Sequence, residues 1–338
     1  MANPDLESDP FGERQRLLVR KPVALLGARV RFESNDRRLL ELADEAFAGL
    51  PPQRLRTARD LRIVLQLTAG GSGRRRSEPP PTAMLSGAGL LAGAPATSSF
   101  VALSPASGSA LVVVPESMLR FPYHTRYELI EFAVYTLAAR TQGLAALHAA
   151  CVGKGGRGAL LMGASGAGKS TVALHWLLRG LDFLSEDAVF VQPSTMLATG
   201  APNFLHVRSD SLAGLGRARA ATSIRRSPVI RRRSGVRKFE VDLRRDGFRL
   251  ARAPLKLRAI VFLSARGAGK GPLLRPLERT DLLARLELAQ AYAAGQPEWP
   301  AFRRGAAALA AFELRRGGDP NDSVGALEQL LSAGAPPR

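Results

Sequence analysis

The chain has 338 residues, of which 46% are hydrophobic and 23% charged. That length suffices for two domains or one large one, and the apolar content excludes wholesale disorder. No apolar run approaches the roughly 18–20 residues of a membrane span. The polar, acidic stretch Met1 to Pro10 does not read as a signal peptide. A cytoplasmic setting with no membrane partner is expected. Cys151, the one cysteine, suits that setting and excludes an intrachain disulfide. The formal net charge of +19 attracts anions without distinction. The densest basic patch holds Arg225, Arg226, Arg231, Arg232, Arg233, Arg237 and Lys238, with Phe239 as the one nearby ring. That composition favours a solvated or phosphate-directed loop over a base-stacking platform, so a nucleic-acid partner is not expected.

In chain order, Pro22 to Phe32 has the apolar content of a strand. Asp36 is a natural N-cap for the helical spacing of Leu39, Leu40, Leu42, Ala43, Ala46 and Phe47. Leu61 to Leu67 alternates as a strand does. Gly70 to Pro81 reads as a loop, Phe100 to Leu103 and Ala110 to Val114 as two strands, and Tyr127 to Ala139 as an amphipathic helix. Residues 1–140 are therefore expected to form a small α+β domain without a chemical motif of its own. Substrate or partner docking and packing support are equal alternatives for it.

Residues 141–338 alternate strand and helix signals, which predicts an α/β nucleotide-binding domain. His148 to Val152 and Ala159 to Met162 read as a strand pair. Phe183 to Leu184 and Ala188 to Val191 read as strands flanking Glu186 and Asp187. Val236 to Leu243 and Leu257 to Leu263 are further strands, followed by a helix over Asp281 to Ala294. A late strand over Ala311 to Leu314 precedes a closing helix over Val324 to Leu331, begun by Asp322 or Ser323.

Gly163-Ala164-Ser165-Gly166-Ala167-Gly168-Lys169-Ser170, followed by Thr171, fits the phosphate-binding pattern G-x-x-x-x-G-K-[ST] between a predicted strand and a predicted helix. Glycines let the backbone turn tightly and expose its N–H groups, and a helix N-terminus favours an anion. Lys169 is expected at the β and γ phosphates of ATP, and the Ser170 hydroxyl on a magnesium ion. Phosphoryl transfer also needs a carboxylate near the metal and a group to orient the nucleophile. The late strand ending in Ser264 offers no carboxylate, which leaves Glu186 and Asp187. His148, fifteen residues before Gly163, is the candidate imidazole to keep a carboxylate poised as a base. His124, His175 and His206 have no such partner in the sequence and read as structural.

The stretch His148 to Val189 resembles the catalytic domain of HPr kinase/phosphorylase, a bacterial serine kinase with a P-loop related to that of phosphoenolpyruvate carboxykinase. The histidine precedes the P-loop by the same interval, Arg179-Gly180 closes the helix, and two acids fall where that family has an Asp-Asp pair. Pro202 to Ser211 and Leu257 to Leu263 resemble a following loop and strand of related kinases. The resemblance implies a proton-handling pair of His148 and Glu186, with Asp187 on the metal side and Ser170 sharing that metal. The chain departs from the family pattern at Ala164 and Thr171, where the family carries acids, and at Glu186, where it carries an aspartate. The first half looks more like that of divergent HPr-kinase-related proteins, some of which phosphorylate a serine on a peptide. The expected activity is therefore an ATP- and magnesium-dependent serine kinase acting on a protein or peptide. The alternatives are a non-catalytic nucleotide-binding regulatory or scaffold protein and a nucleic-acid-associated NTPase. Homo-oligomerisation is left open.

Overall fold

A computed structural model describes residues 17–56, 58–69, 78–79, 82–87, 90–95, 99–164, 166–215, 219–245 and 247–333. The predicted loop over 70–81 falls almost wholly outside them. Two compact units divide the chain at residues 141 and 142, and two short early segments, 24–28 and 49–58, belong to the second unit.

The first unit is built on a mixed sheet. Its strands are β1 (Leu18–Val19), β2 (Val23–Leu25), β3 (Ala28–Ser34), β4 (Asp60–Thr68), β5 (Thr82–Gly87), β6 (Leu90–Pro95), β7 (Phe100–Ser104) and β8 (Ser109–Pro115). Their order is β1-β3-β4-β8-β7-β6-β5, with β2 paired to β3. The central strands β3, β4 and β8 are parallel. Helix α1 (Arg37–Phe47) connects β3 to β4. Its Asp36 cap accepts the Arg38 N–H at 2.8 Å, and it buries the six apolar residues that recur at helical spacing.

The helix predicted over 127–139 is not uniform. A π-helical stretch, Thr125–Glu131, precedes helix α2 (Phe132–Gln142). A wider turn suits residues five apart, and the buried Arg126 and Glu131 pair at 2.8 Å within it. That ion pair escapes a reading based on a period of 3.6.

The second unit is a three-layer α/β arrangement. Its main sheet contains β9 (Ala145–Leu147), β10 (Ala150–Lys154), β11 (Arg157–Met162), β12 (Asp182–Ser185), β13 (Val189–Gln192), β14 (Leu197–Gly200), β18 (Leu255–Gly267), β19 (Leu274–Pro276) and β20 (Ala310–Arg316). The order is β12-β10-β11-β18-β14-β13-β9, with β20 paired parallel to β18. The strand before the glycine loop, β11, is parallel to β18, whereas its hairpin partner β10 is antiparallel. Side chains alternate as a strand requires. Ala159 and Leu161 pack with α3 (Lys169–Leu178) and α6 (Pro320–Ser332) on one face. Leu160 and Met162 pack on the other with α4 (Arg279–Ala289) and α5 (Trp299–Ala306). A separate three-stranded sheet, β15 (Phe204–Val207), β17 (Arg237–Asp242) and β16 (Val229–Arg231), adds Leu205, Val207 and Val241 to the α3 side.

Several predicted boundaries move. β18 continues past Ser264 to Gly267. The helix expected over 281–294 breaks at Gln290, whose side-chain amide bridges the His148 backbone, accepting its N–H at 2.8 Å and donating to its C=O at 2.9 Å. That bridge marks a second correction: His148 lies in the gap between β9 and β10, not on a strand. α6 starts at Pro320 because Asp319 caps it, earlier than Asp322 or Ser323.

Candidate functional site

The glycine loop leaves the end of β11 and enters α3 at Lys169. Gly166 and Gly168 have φ of 81° and 104°, values that side chains rarely adopt. A Cβ on Gly163 would stand 3.1 Å from both Ala167 Cβ and the Leu263 carbonyl oxygen, so glycine is needed for close packing there. The first turn of α3 therefore presents its unbonded N–H groups to a cavity of about 790 Å³. Ala164, Gly166, Ala167, Gly168, Lys169, Ser170 and Thr171 line this cavity. Ser165 lies outside the described residues. Lys169 is mostly buried, and its Nζ donates to the Gly163 carbonyl at 2.6 Å. Burial pulls its pKa down, against the opposing pull of Asp187 and Glu186.

The turn after β12 brings the two acids to this loop, and they do different things. Glu186 is buried, with both oxygens engaged. Its Oε1 accepts the Ser170 hydroxyl at 2.6 Å, and its Oε2 accepts the His206 backbone N–H at 2.8 Å and faces His206 Nδ1 at 3.0 Å. Asp187 instead lines the cavity, as His148 does. Arg232 Nη2 donates to Asp187 Oδ2 at 3.2 Å. Burial alone would raise the Asp187 carboxyl, but Arg232, His206, His148 and Lys238 outweigh it and hold the pKa below the usual carboxylate range.

The two acids make different contacts, and these differ from the pairings that the sequence suggests. Ser170 bonds to Glu186, not to Asp187. The histidine on Glu186 is His206, which the sequence left as structural, and His148 falls on the Asp187 side. Adjacent residues leaving a strand end point in different directions, so one faces the helix and the other the cavity.

The basic stretch also resolves into separate roles. β16 and β17 form a hairpin closed by Arg232 to Val236, with Gly235 at φ 80°. Arg231 and Arg237 are exposed, whereas Arg232 and Lys238 turn into the cavity. Across it, Arg316 at the end of β20 donates to the Gly166 carbonyl at 3.4 Å.

Ligand atoms of Glu186, Asp187 and His206 lie within 4.8 Å of one another. The oxygens of Ser170 and the two acids fit a hard divalent cation such as magnesium. His206 does not fit as a ligand, because each of its ring nitrogens already faces a carboxylate, Glu186 at 3.0 Å and Glu240 at 3.3 Å.

No helix among the described residues is long and apolar enough to cross a membrane. No protein-family model and no curated protein sequence matches the chain. Among solved structures the chain is similar to the Hpr(Ser) kinase/phosphatase from Coxiella burnetii. That match has 12% identity and a TM-score of 0.28, over 56% of this chain and 99% of the other. A score this low carries no argument about the activity of this chain.

Proposed function

We propose that the protein is an ATP- and magnesium-dependent phosphotransferase, with a serine hydroxyl of a protein or peptide as acceptor. One observation carries this reading. The 2.6 Å bond from Ser170 to Glu186 ties the first turn of a glycine-loop helix to a buried acid on a neighbouring strand turn. A metal–triphosphate site needs that combination, and a merely glycine-rich turn does not.

The roles follow from what each group faces. N–H groups of the loop and the first turn of α3 bind the phosphates, and Lys169 would exchange its Gly163 carbonyl for phosphate oxygens. Ser170 and Glu186 would hold magnesium, which when bound neutralises charge on the β and γ phosphates. Asp187, ionised and at the cavity wall, takes the proton from the acceptor hydroxyl as that oxygen forms its bond to the γ-phosphorus and the bond to ADP breaks. His148 assists from the same side. This reverses the duties that the resemblance implies for the two acids.

Purified protein is expected to bind ATP, and Lys169→Ala to abolish both binding and transfer of the γ-phosphate from labelled ATP to serine-containing peptides or a lysate. ATP binding that survives Lys169→Ala contradicts the cradle. Intact binding with no transfer to any hydroxyl leaves only nucleotide binding and ends the phosphotransferase reading.

A further inference from the structure

Behind the cavity lies a row of three buried ionisable side chains, Glu186, His206 and Glu240, with relative exposures of 4%, 6% and 6%. The fold places them without freedom to drift. β15 and β17 are antiparallel, with His206 directly opposite Glu240, so their side chains share one face of the small sheet. His206 Nε2 faces Glu240 Oε1 at 3.3 Å, and Nδ1 faces Glu186 Oε2 at 3.0 Å. The His206 backbone N–H holds the same Oε2 at 2.8 Å, which leaves Oε1 directed at the Ser170 hydroxyl at 2.6 Å.

Burying three such groups costs several kcal/mol per ion unless each is well bonded. Each ring nitrogen of His206 faces one of the two carboxylates, so the ring cannot turn without giving up a contact. Glu240 thereby locks the ring, the ring locks Glu186, and Glu186 orients Ser170. Glu240 itself is not among the residues that line the cavity.

We propose that His206 and Glu240 are positioning residues that fix the Glu186–Ser170 pair, and that they set the affinity for the magnesium complex of the nucleotide without setting the affinity for the nucleotide itself. This rests on the phosphotransferase reading of the site. It assigns a role to a residue of the arginine-rich hairpin that is neither phosphate binding nor solvation. Partners that orient metal-binding groups in this way typically contribute about 10–100-fold to metal affinity.

The experiment measures ATP affinity by calorimetry, once with excess magnesium and once with EDTA. The wild type should gain affinity with magnesium. Glu240→Gln, nearly isosteric, should keep its metal-free ATP affinity within about 2-fold while losing about 10-fold of the magnesium gain. His206→Gln, which retains a donor for one carboxylate only, should do the same. A magnesium gain equal to that of the wild type in both variants overturns the proposal. So does a parallel loss of metal-free and magnesium-bound affinity, the signature of a purely structural role. Loss of the native circular dichroism in both variants also overturns it, because the row would then serve folding alone. A wild type that binds no ATP under either condition is a different result: it removes the phosphotransferase reading, and this proposal with it.

Discussion

Arg232, at the turn of the β16–β17 hairpin, sets its Nη2 3.2 Å from Asp187 Oδ2 and holds that carboxyl ionised against the cost of burying it. The sign of the consequence follows. A base must be ionised, and the Asp187 pKa lies below the usual carboxylate range, so wild-type transfer should persist into acid. Arg232→Gln removes the largest of the charges that depress it. The acid limb of the pH–rate profile for phosphoryl transfer should then move to higher pH. A limb that stays in place would assign the titrating base to another group. Linked stability has the same sign: the contribution of the depressed carboxyl is present above its unfolded pKa of about 3.9 and lost as pH falls through the folded value.

Ser170→Ala separates the two acids by a different route. It removes the hydroxyl from Glu186 Oε1 and leaves that buried oxygen without its donor, a loss on the order of 1–3 kcal/mol of stability. It should also remove most of the magnesium-dependent gain in ATP affinity, while Asp187→Asn should leave that gain largely intact and lower the transfer rate by about 100-fold or more. Calorimetry and a radiolabel transfer assay on the two variants check this. The reverse pattern would return Asp187 to the metal side.

How much of this was legible in the sequence depends on the range of each interaction. The cap at Asp36 and the short apolar run Ala159 to Met162 are local, and both were readable. The glycine loop was readable because its spacing is itself the chemical requirement. The different contacts of Glu186 and Asp187 were not, because they turn on which way two adjacent side chains leave a strand end. His206 was hidden for a related reason. Its partners lie 20 residues before it and 34 after it, and only the β15–β17 register brings Glu240 opposite. An alternating His206-x-Arg208 against Lys238-x-Glu240 was the available signal, and it carries little without knowledge of the pairing. The π-helical turn was concealed by a sequence that also satisfies an ordinary helical period.

The start of α6 gives a stability prediction. Asp319 accepts the Asn321 N–H at 2.8 Å, and Asp322 returns a bond to the Asp319 N–H at 3.3 Å, a reciprocal cap ahead of Pro320. Removing one side of such a cap costs about 0.5–2 kcal/mol. Asp319→Ala should lower resistance to urea, followed by helical circular dichroism, by an amount in that range. Asp322→Ala should cost less, since its bond is the longer one. Equal resistance in Asp319→Ala and wild type would mean that Pro320 and packing of Val324 and Leu327 hold the helix start without the cap.

A last prediction concerns the strand that backs the acidic turn. Gly200, on β14, does not line the cavity, yet a Cβ there would stand 2.8 Å from Ser185 Cβ and 3.0 Å from the Leu184 carbonyl oxygen. Both are fixed atoms close to the backbone, so no flexible side chain can move aside. Gly200→Ala must push the end of β12 away, and Glu186 is the next residue. Overpacking of this kind costs about 1–3 kcal/mol. The displacement also acts on the 2.6 Å bond between Glu186 and Ser170. Gly200→Ala should therefore reduce the magnesium-dependent gain in ATP affinity more than the metal-free affinity, despite touching neither ligand. Gly143→Ala is the control, since a Cβ there meets nothing within 4 Å. Its φ of 61° costs stability through backbone strain alone, and its magnesium gain should match the wild type. If the two variants change the gain equally, packing behind the turn has no part in placing Glu186.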